Sequence, residues 1–193
     1  MENLAVNPGC GNSHYNLAVA LIGLKKYDEA EKELIEAVEC SPTLAEAYIQ
    51  LGGISLQRGD LDKCLAYNQQ SVKVRAGFAE GFGNIGFVFL QQGKVDEAIE
   101  SLKKAISFNS NFIQAYTTLA NAYLMKGLLD ESIEASKKVL KIEPNFPVSH
   151  NNLAIAYLEK GENTMAIEHC DKAVELGFDV ASQILDEINK IRM

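Results

Sequence analysis

Tryptophan is absent from this chain of 193 residues, proline occurs only four times, and no apolar run approaches a membrane span. A span needs about 18 consecutive apolar residues, so direct membrane insertion is not expected. The scarcity of proline excludes collagen-like and linker-rich architectures. Cysteine is sparse and scattered: Cys10, Cys40, Cys64 and Cys170 form no C-x-x-C pair and stand at no metal-ligand spacing. Thiols so distributed read as reduced and intracellular, and no cofactor is expected from them. The opening Met1-Glu2-Asn3-Leu4 has neither the basic nor the apolar region of a signal peptide. A cytoplasmic protein is therefore expected.

Positive charge is also lacking. The net charge is −8 and the isoelectric point is near 4.9. Nucleic-acid backbones and anionic membranes reward clustered Lys and Arg, so neither is an expected partner. The deficit sits at the ends: −3 over residues 11–44 and −4 over 147–180, against +1, −1 and 0 for the three intervening stretches of equal length. Hydrophobic residues make up 47% of the chain, enough at this length for a sizeable core.

What the chain does have is a period. Gly59, Gly93, Gly127 and Gly161 are each 34 residues apart, as are Asp28, Asp62, Asp96 and Asp130, with Thr164 next in that series. Pro8, Pro42 and Pro144 fall in one phase. Small residues recur at Ala18, Gly52, Gly86, Ala120 and Ala154, and again at Ala30, Cys64, Ala98, Ser132 and Ala166. Large apolar residues recur at Leu17, Leu51, Ile85, Leu119 and Leu153. Six series in phase define an internal repeat.

Each series has a physical reason. Phe82, Ile85 and Phe89, like Tyr116, Leu119 and Tyr123, fall on one helical stripe. The glycine is expected to end a first helix in the left-handed conformation that other residues resist. The Asp three residues later is expected to cap a second helix and complement its dipole. Small residues on both helices let the two axes approach closely, so a large replacement at Ala98 or Ala120 would force them apart.

This pattern resembles the tetratricopeptide repeat family over residues 11–180. Unit four supplies Tyr116, Leu119-Ala120, Tyr123, Gly127 and Pro144 to the family's signature. Departures are His14 and His150 at the first aromatic slot, Ser55 for a Tyr, Asn68, Ser136 and Cys170 for a large apolar residue, and Lys25 for the first glycine. The resemblance implies an all-α, right-handed superhelical solenoid of five helix-turn-helix repeats at 11–44, 45–78, 79–112, 113–146 and 147–180. Residues 1–10 read as the tail of a partial upstream repeat. Residues 181–193, with Ile184, Leu185, Ile188 and Ile191 on one stripe, read as a capping helix that covers the last repeat.

Signs of catalysis are weak. Gly81-Phe82-Gly83-Asn84-Ile85-Gly86 spells G-x-G-x-x-G, but a dinucleotide fingerprint needs a strand before it and a helix after, whereas this segment lies inside a first helix. His14 and His150 replace repeat aromatics and read as packing residues. His169 beside Cys170 lacks a second His or Cys one turn away, which a zinc site on a helix requires. No catalytic site, metal site or enzyme is expected.

The family's first helices line a concave groove, and the register assigns its residues. One slot holds Asn16, Gln50, Asn84, Thr118 and Asn152. Side-chain amides donate and accept together, so such a row suits the main chain of an extended peptide. It resembles the asparagine ladder in the repeat superhelix of O-GlcNAc transferase, from which Thr118 departs; the plainer account is a solvent-facing stripe that tolerates amides. A second slot holds Val19, Gly53, Phe87, Asn121 and Ile155, and a third Tyr15, Ile49, Gly83, Thr117 and Asn151. Neither row carries Lys or Arg, which argues against a clamp for acidic C-termini. Glu46, Glu80 and Glu159 make the groove mildly acidic. Gly53 and Gly83, each costing its helix about 0.5–1 kcal/mol relative to alanine, are expected to open a central depression, or else reflect drift at an exposed site.

The resulting expectation is a non-catalytic scaffold or adaptor that binds a neutral or basic protein segment carrying apolar anchors. Two alternatives stand beside it. One is self-assembly through the repeat ends into a homo-oligomer, as in a related scaffold that coats bacterial magnetosomes. The other is a binding domain of a larger protein such as a glycosyltransferase.

Overall fold

A computed structural model describes residues 8–192. The chain divides into two compact units, residues 1–88 and 89–193, with the boundary inside one helix. Eleven helices, and no strand, occur among the described residues. Unit 1 contains α1 (Pro8–Gly23), α2 (Tyr27–Cys40), α3 (Ala45–Gln57), α4 (Leu61–Val74) and most of α5 (Ala79–Gln91). Unit 2 contains α6 (Val95–Phe108), α7 (Ile113–Met125), α8 (Leu129–Ile142), α9 (Pro147–Glu159), α10 (Asn163–Glu175) and α11 (Ser182–Ile191).

The turn inside each hairpin follows from one backbone angle. Gly59, Gly93, Gly127 and Gly161 have φ of +77°, +74°, +69° and +74°, the left-handed region that costs glycine nothing. Lys25 occupies the same slot at φ +59° and is the one non-glycine with positive φ among the described residues. The first hairpin therefore keeps the shape of the others at the expense of local strain.

The Asp series does not cap the second helices. Asp28, Asp96 and Asp130 lie in the first turns of α2, α6 and α8, and the N-cap positions hold Lys26, Lys94 and Leu128 without side-chain hydrogen bonds. Their carboxylates still complement the helix dipole from there. They also reach forward to the cation that closes the next first helix: Asp28 to Arg58 at 2.6 Å, Asp96 to Lys126 at 2.5 Å, and Asp130 to Lys160 at 2.6 Å. Asp60, outside that series, does cap a helix: it accepts from the Lys63 N–H at 3.0 Å at the start of α4.

Packing follows the small-residue series, every member of which is buried. In unit 1 the core joins Ala18, Ala30, Leu34, Ala37, Ala47, Leu51 and Ile54. In unit 2 it joins Ile133, Leu153, Ala154, Tyr157, Ala166, Cys170, Val180 and Ile188, so α11 covers the hairpin before it. Residues 8–10, expected in the tail of a preceding unit, form the first turn of α1, because Pro8 suits a helix start. The rest of that expectation, residues 1–7, lies outside the described residues. Gly81 to Gly86 are helical throughout, as the repeat register requires.

Candidate functional site

The first helices of unit 1 carry Asn16 and Val19 on α1, Gln50 and Gly53 on α3, and Gly83, Asn84 and Phe87 on α5. Asn16 and Val19 are exposed, and Gln50, Asn84 and Phe87 are half-buried. Gly53 is exposed, and a Cβ built on it would meet nothing within 4 Å. Gln50 and Gly53 line a depression of about 200 Å³ together with Ile22, Tyr27, Ile54 and Gln57. Gly83, expected to open beside Gly53, is instead buried. Periodicity assigned it to the groove, but helix position alone does not say how tightly neighbours close over a residue without a side chain.

The amide row is less uniform than its sequence suggests. Asn84 Nδ2 donates to Asn68 Oδ1 at 3.0 Å, and Asn68 Nδ2 in turn donates to the Cys64 carbonyl at 2.7 Å. Asn68, fully buried where the repeat usually has a large apolar side chain, thus turns one rung inward. On unit 2, the Thr118 hydroxyl donates to the Gln114 carbonyl of its own helix at 2.9 Å. Asn152 is only 5% exposed. Its Nδ2 is buried without a hydrogen-bond partner, as is the hydroxyl of Ser136, which stands where Asn68 stands two repeats earlier. Asn121 is exposed and Ile155 half-buried. The open amides of this row are therefore Asn16 and Gln50, and Gln50 lines the unit 1 depression.

Charge near this face is partly neutralised within the fold. Glu46 accepts two hydrogen bonds from the Arg75 guanidinium, at 2.5 and 2.8 Å. Burial alone would raise the Glu46 carboxyl, but the guanidinium prevails and holds it below the ordinary carboxylate value.

A second cluster was not expected. Cys10 and His14 lie one turn apart on α1, and Cys40 is the last residue of α2. Their donor atoms all lie within 4.8 Å of one another, all three residues being half-buried. The Cys40 thiol donates to Cys10 Sγ at 2.7 Å. That hydrogen bond, with burial and the charges of Cys10, Glu36 and Glu39, pushes the Cys40 thiol up to about 11. His14 Nδ1 lies 2.7 Å from Glu33 Oε2. The cysteines still stand at no metal-ligand spacing among themselves; the third donor of this cluster is a histidine, and the second cysteine arrives from 30 residues away. Cys10-x-x-x-His14, one helical turn, was the signal available in the sequence.

Comparison with known proteins adds the family. Models described as "TPR repeat" and "Tetratricopeptide repeat" match residues 86–127, residues 135–168, and residues 11–43 with 113–146. No curated protein matches the chain in sequence. Solved structures do match in fold. PilF of Pseudomonas aeruginosa is 16% identical with a TM-score of 0.85, covering 95% of this chain and 85% of that one. MamA of Desulfovibrio magneticus is 22% identical with a TM-score of 0.76, covering 89% and 97%. YrrB, described as a TPR protein with an unusual peptide-binding site, is 19% identical with a TM-score of 0.72, covering 93% and 91%. At these identities the likeness is one of fold, the all-α solenoid of helix pairs. With its 34-residue register, its left-handed hairpin turns and the repeat models matched on both units, the chain belongs to the tetratricopeptide repeat family.

Proposed function

We propose that this protein is a non-catalytic scaffold that holds a segment of a partner protein against the first helices of its repeats, with the unit 1 depression as the principal contact. The observation that carries this reading is the depression itself. It offers about 200 Å³ beside a glycine, with apolar walls from Ile22 and Ile54 and the amides of Gln50 and Gln57. Such a lining admits one apolar side chain while the amides grip the main chain on either side of it. Asn16 and Val19 extend the surface on unit 1. Asn121, Thr118 and Ile155 form the corresponding surface of unit 2, from which buried Asn152 drops out. With a net charge of −8, the chain favours a neutral or basic segment. The description of YrrB as carrying a peptide-binding site supports a peptide as the ligand class.

The test uses Gly53→Leu, because open space beside this glycine lets the fold accept a side chain that fills the depression. Peptides selected from a random library on the wild-type chain should bind the variant at least ~10-fold more weakly, with circular dichroism unchanged; tenfold is about 1.4 kcal/mol. Equal affinity for both proteins would remove the depression from the reading.

A second reading, self-association, rests on Leu17. It is 49% exposed, whereas Leu51, Leu119 and Leu153 in the same slot are 5% or less. Leu51 is covered by Leu34 and Ala37 of the preceding hairpin. A second copy supplying that cover to Leu17 would make light scattering rise with concentration in the wild type and stay flat in Leu17→Glu.

A further inference from the structure

The cluster at the start of α1 has the composition of a transition-metal site, and this inference is independent of the peptide-binding reading. Cys10, His14 and Cys40 supply two sulfurs and an imidazole within a 4.8 Å sphere of mutual distances. Thiolate and imidazole together suit zinc, which takes four donors at about 2.3 Å from sulfur and about 2.0–2.1 Å from nitrogen. Tetrahedral donors then lie about 3.3–3.8 Å apart. The two sulfurs, now 2.7 Å apart, need to part by only about 1 Å. That is a small side-chain rotation at the ends of two helices.

The surroundings match a metal site too. Glu33 Oε2 lies 2.7 Å from His14 Nδ1, the kind of carboxylate contact that orients a ligating imidazole and leaves Nε2 as its free donor. Glu36 and Glu39 lie close enough to act electrostatically on the Cys40 thiol, so the cluster is acidic and favours a cation. The cluster joins the first turn of α1 to the end of α2, where Gly11 already packs closely against Ser41.

We infer that Cys10, His14 and Cys40 bind one zinc-like divalent cation, with Glu33 orienting the histidine and a fourth coordination position open to water or an incoming donor. On binding, the two thiols lose their protons to solvent and become thiolates. The ion fastens the start of the array, and its open position gives the protein a metal-dependent point of contact.

The experiment uses the full chain, reduced and stripped of metal with a chelator, then titrated with Co²⁺. One equivalent should produce thiolate-to-cobalt charge-transfer absorption, and Zn²⁺ should bleach it. Cys40→Ser should abolish the band. Glu33→Gln should weaken binding by about 10–100-fold. His14→Gln, at a half-exposed position where the fold tolerates change, should weaken it further. The double variant Cys64→Ser/Cys170→Ser should bind as the wild type does, and circular dichroism on each variant separates lost binding from lost helix. The site is overturned if no band appears, if it survives Cys10→Ser/Cys40→Ser, or if His14→Gln leaves affinity unchanged. It is equally overturned if Cys10 and Cys40 are recovered as a disulfide and the reduced chain still takes up no cobalt.

Discussion

A Cβ on Gly52 would stand 2.6 Å from Asn68 Nδ2, while one on Gly53, the next residue, would meet nothing within 4 Å. Two adjacent glycines on one helix thus have opposite reasons to exist. Gly52 makes room for a buried amide whose two ends are engaged, at Cys64 and Asn84. Gly53 makes room for nothing inside the protein.

Gly52→Ala should destabilise unit 1 by about 1–3 kcal/mol, overpacking outweighing the better helix propensity of alanine. Gly53→Ala should stabilise it by about 0.5–1 kcal/mol. Two repeats later the equivalent positions hold Ala120 and Ser136, an alanine facing a smaller partner. Gly52→Ala/Asn68→Ser should accordingly cost less than the two single changes summed, by about 0.5–3 kcal/mol of coupling in urea denaturation. Equal signs for the two glycine variants would refute the packing argument.

Lys25 holds φ +59° where the other four hairpins have glycine. Lys25→Gly should relieve that strain and stabilise the first hairpin by about 0.5–1 kcal/mol, seen as a higher urea midpoint with an unchanged slope. Lys25→Val, β-branched in the same conformation, should move the midpoint the other way.

His169 brings a pH dependence. Its Nδ1 lies 2.9 Å from His150 Nδ1, and His150 Nε2 donates to the Pro144 carbonyl at 3.1 Å. His150 Nδ1 is therefore the acceptor and His169 the donor. The His169 ring also stacks on Tyr157 with centroids 5.7 Å apart. Burial, then His150, lower the His169 pKa below 6.5; Glu168 opposes them, and Lys137 adds a smaller lowering effect. Folding therefore favours neutral His169: its contribution is complete above pH 6.5 and is lost as pH falls through the lowered value. Thermal melts should drop as pH falls from 6.5 through that lowered value, and less steeply in His169→Gln. Parallel pH profiles for the two proteins would exclude His169 as the cause.

Ile188 is 1% exposed at the centre of the α11 stripe. Ile188→Ala should cost about 2–5 kcal/mol by the cavity it leaves. Hydrogen exchange should then quicken in α9 and α10, against which α11 packs, before it quickens in α7. Uniform quickening across unit 2 would instead mean that the unit opens as one body.

Much of this architecture was legible because a repeat writes each contact several times. The glycine series placed the left-handed turns, and the two small-residue series placed the helix contacts, since both depend on positions within one hairpin. Less legible were side-chain contacts that the repeat does not copy, most of them between different hairpins. Asp28 sits near a helix start and reads as a cap, yet its partner is Arg58, 30 residues away. Asn84 reads as a groove rung, and nothing in its own helix announces Asn68. Gly53 and Gly83 looked alike by helix position, but only Gly53 opens outward. The Cys10–His14–Cys40 cluster escaped because cysteines were counted against cysteines, while the decisive spacing ran from a cysteine to a histidine one turn on.

At three seams the forward-reaching carboxylates add an exposed ion pair to the packing that joins one hairpin to the next. Hairpin interiors close on alanine, leucine and serine, which salt does not weaken, whereas Asp28–Arg58, Asp96–Lys126 and Asp130–Lys160 are solvent-exposed charges that it screens. Added electrolyte should thus loosen this outer fastening while the apolar contacts beneath it hold neighbouring hairpins together.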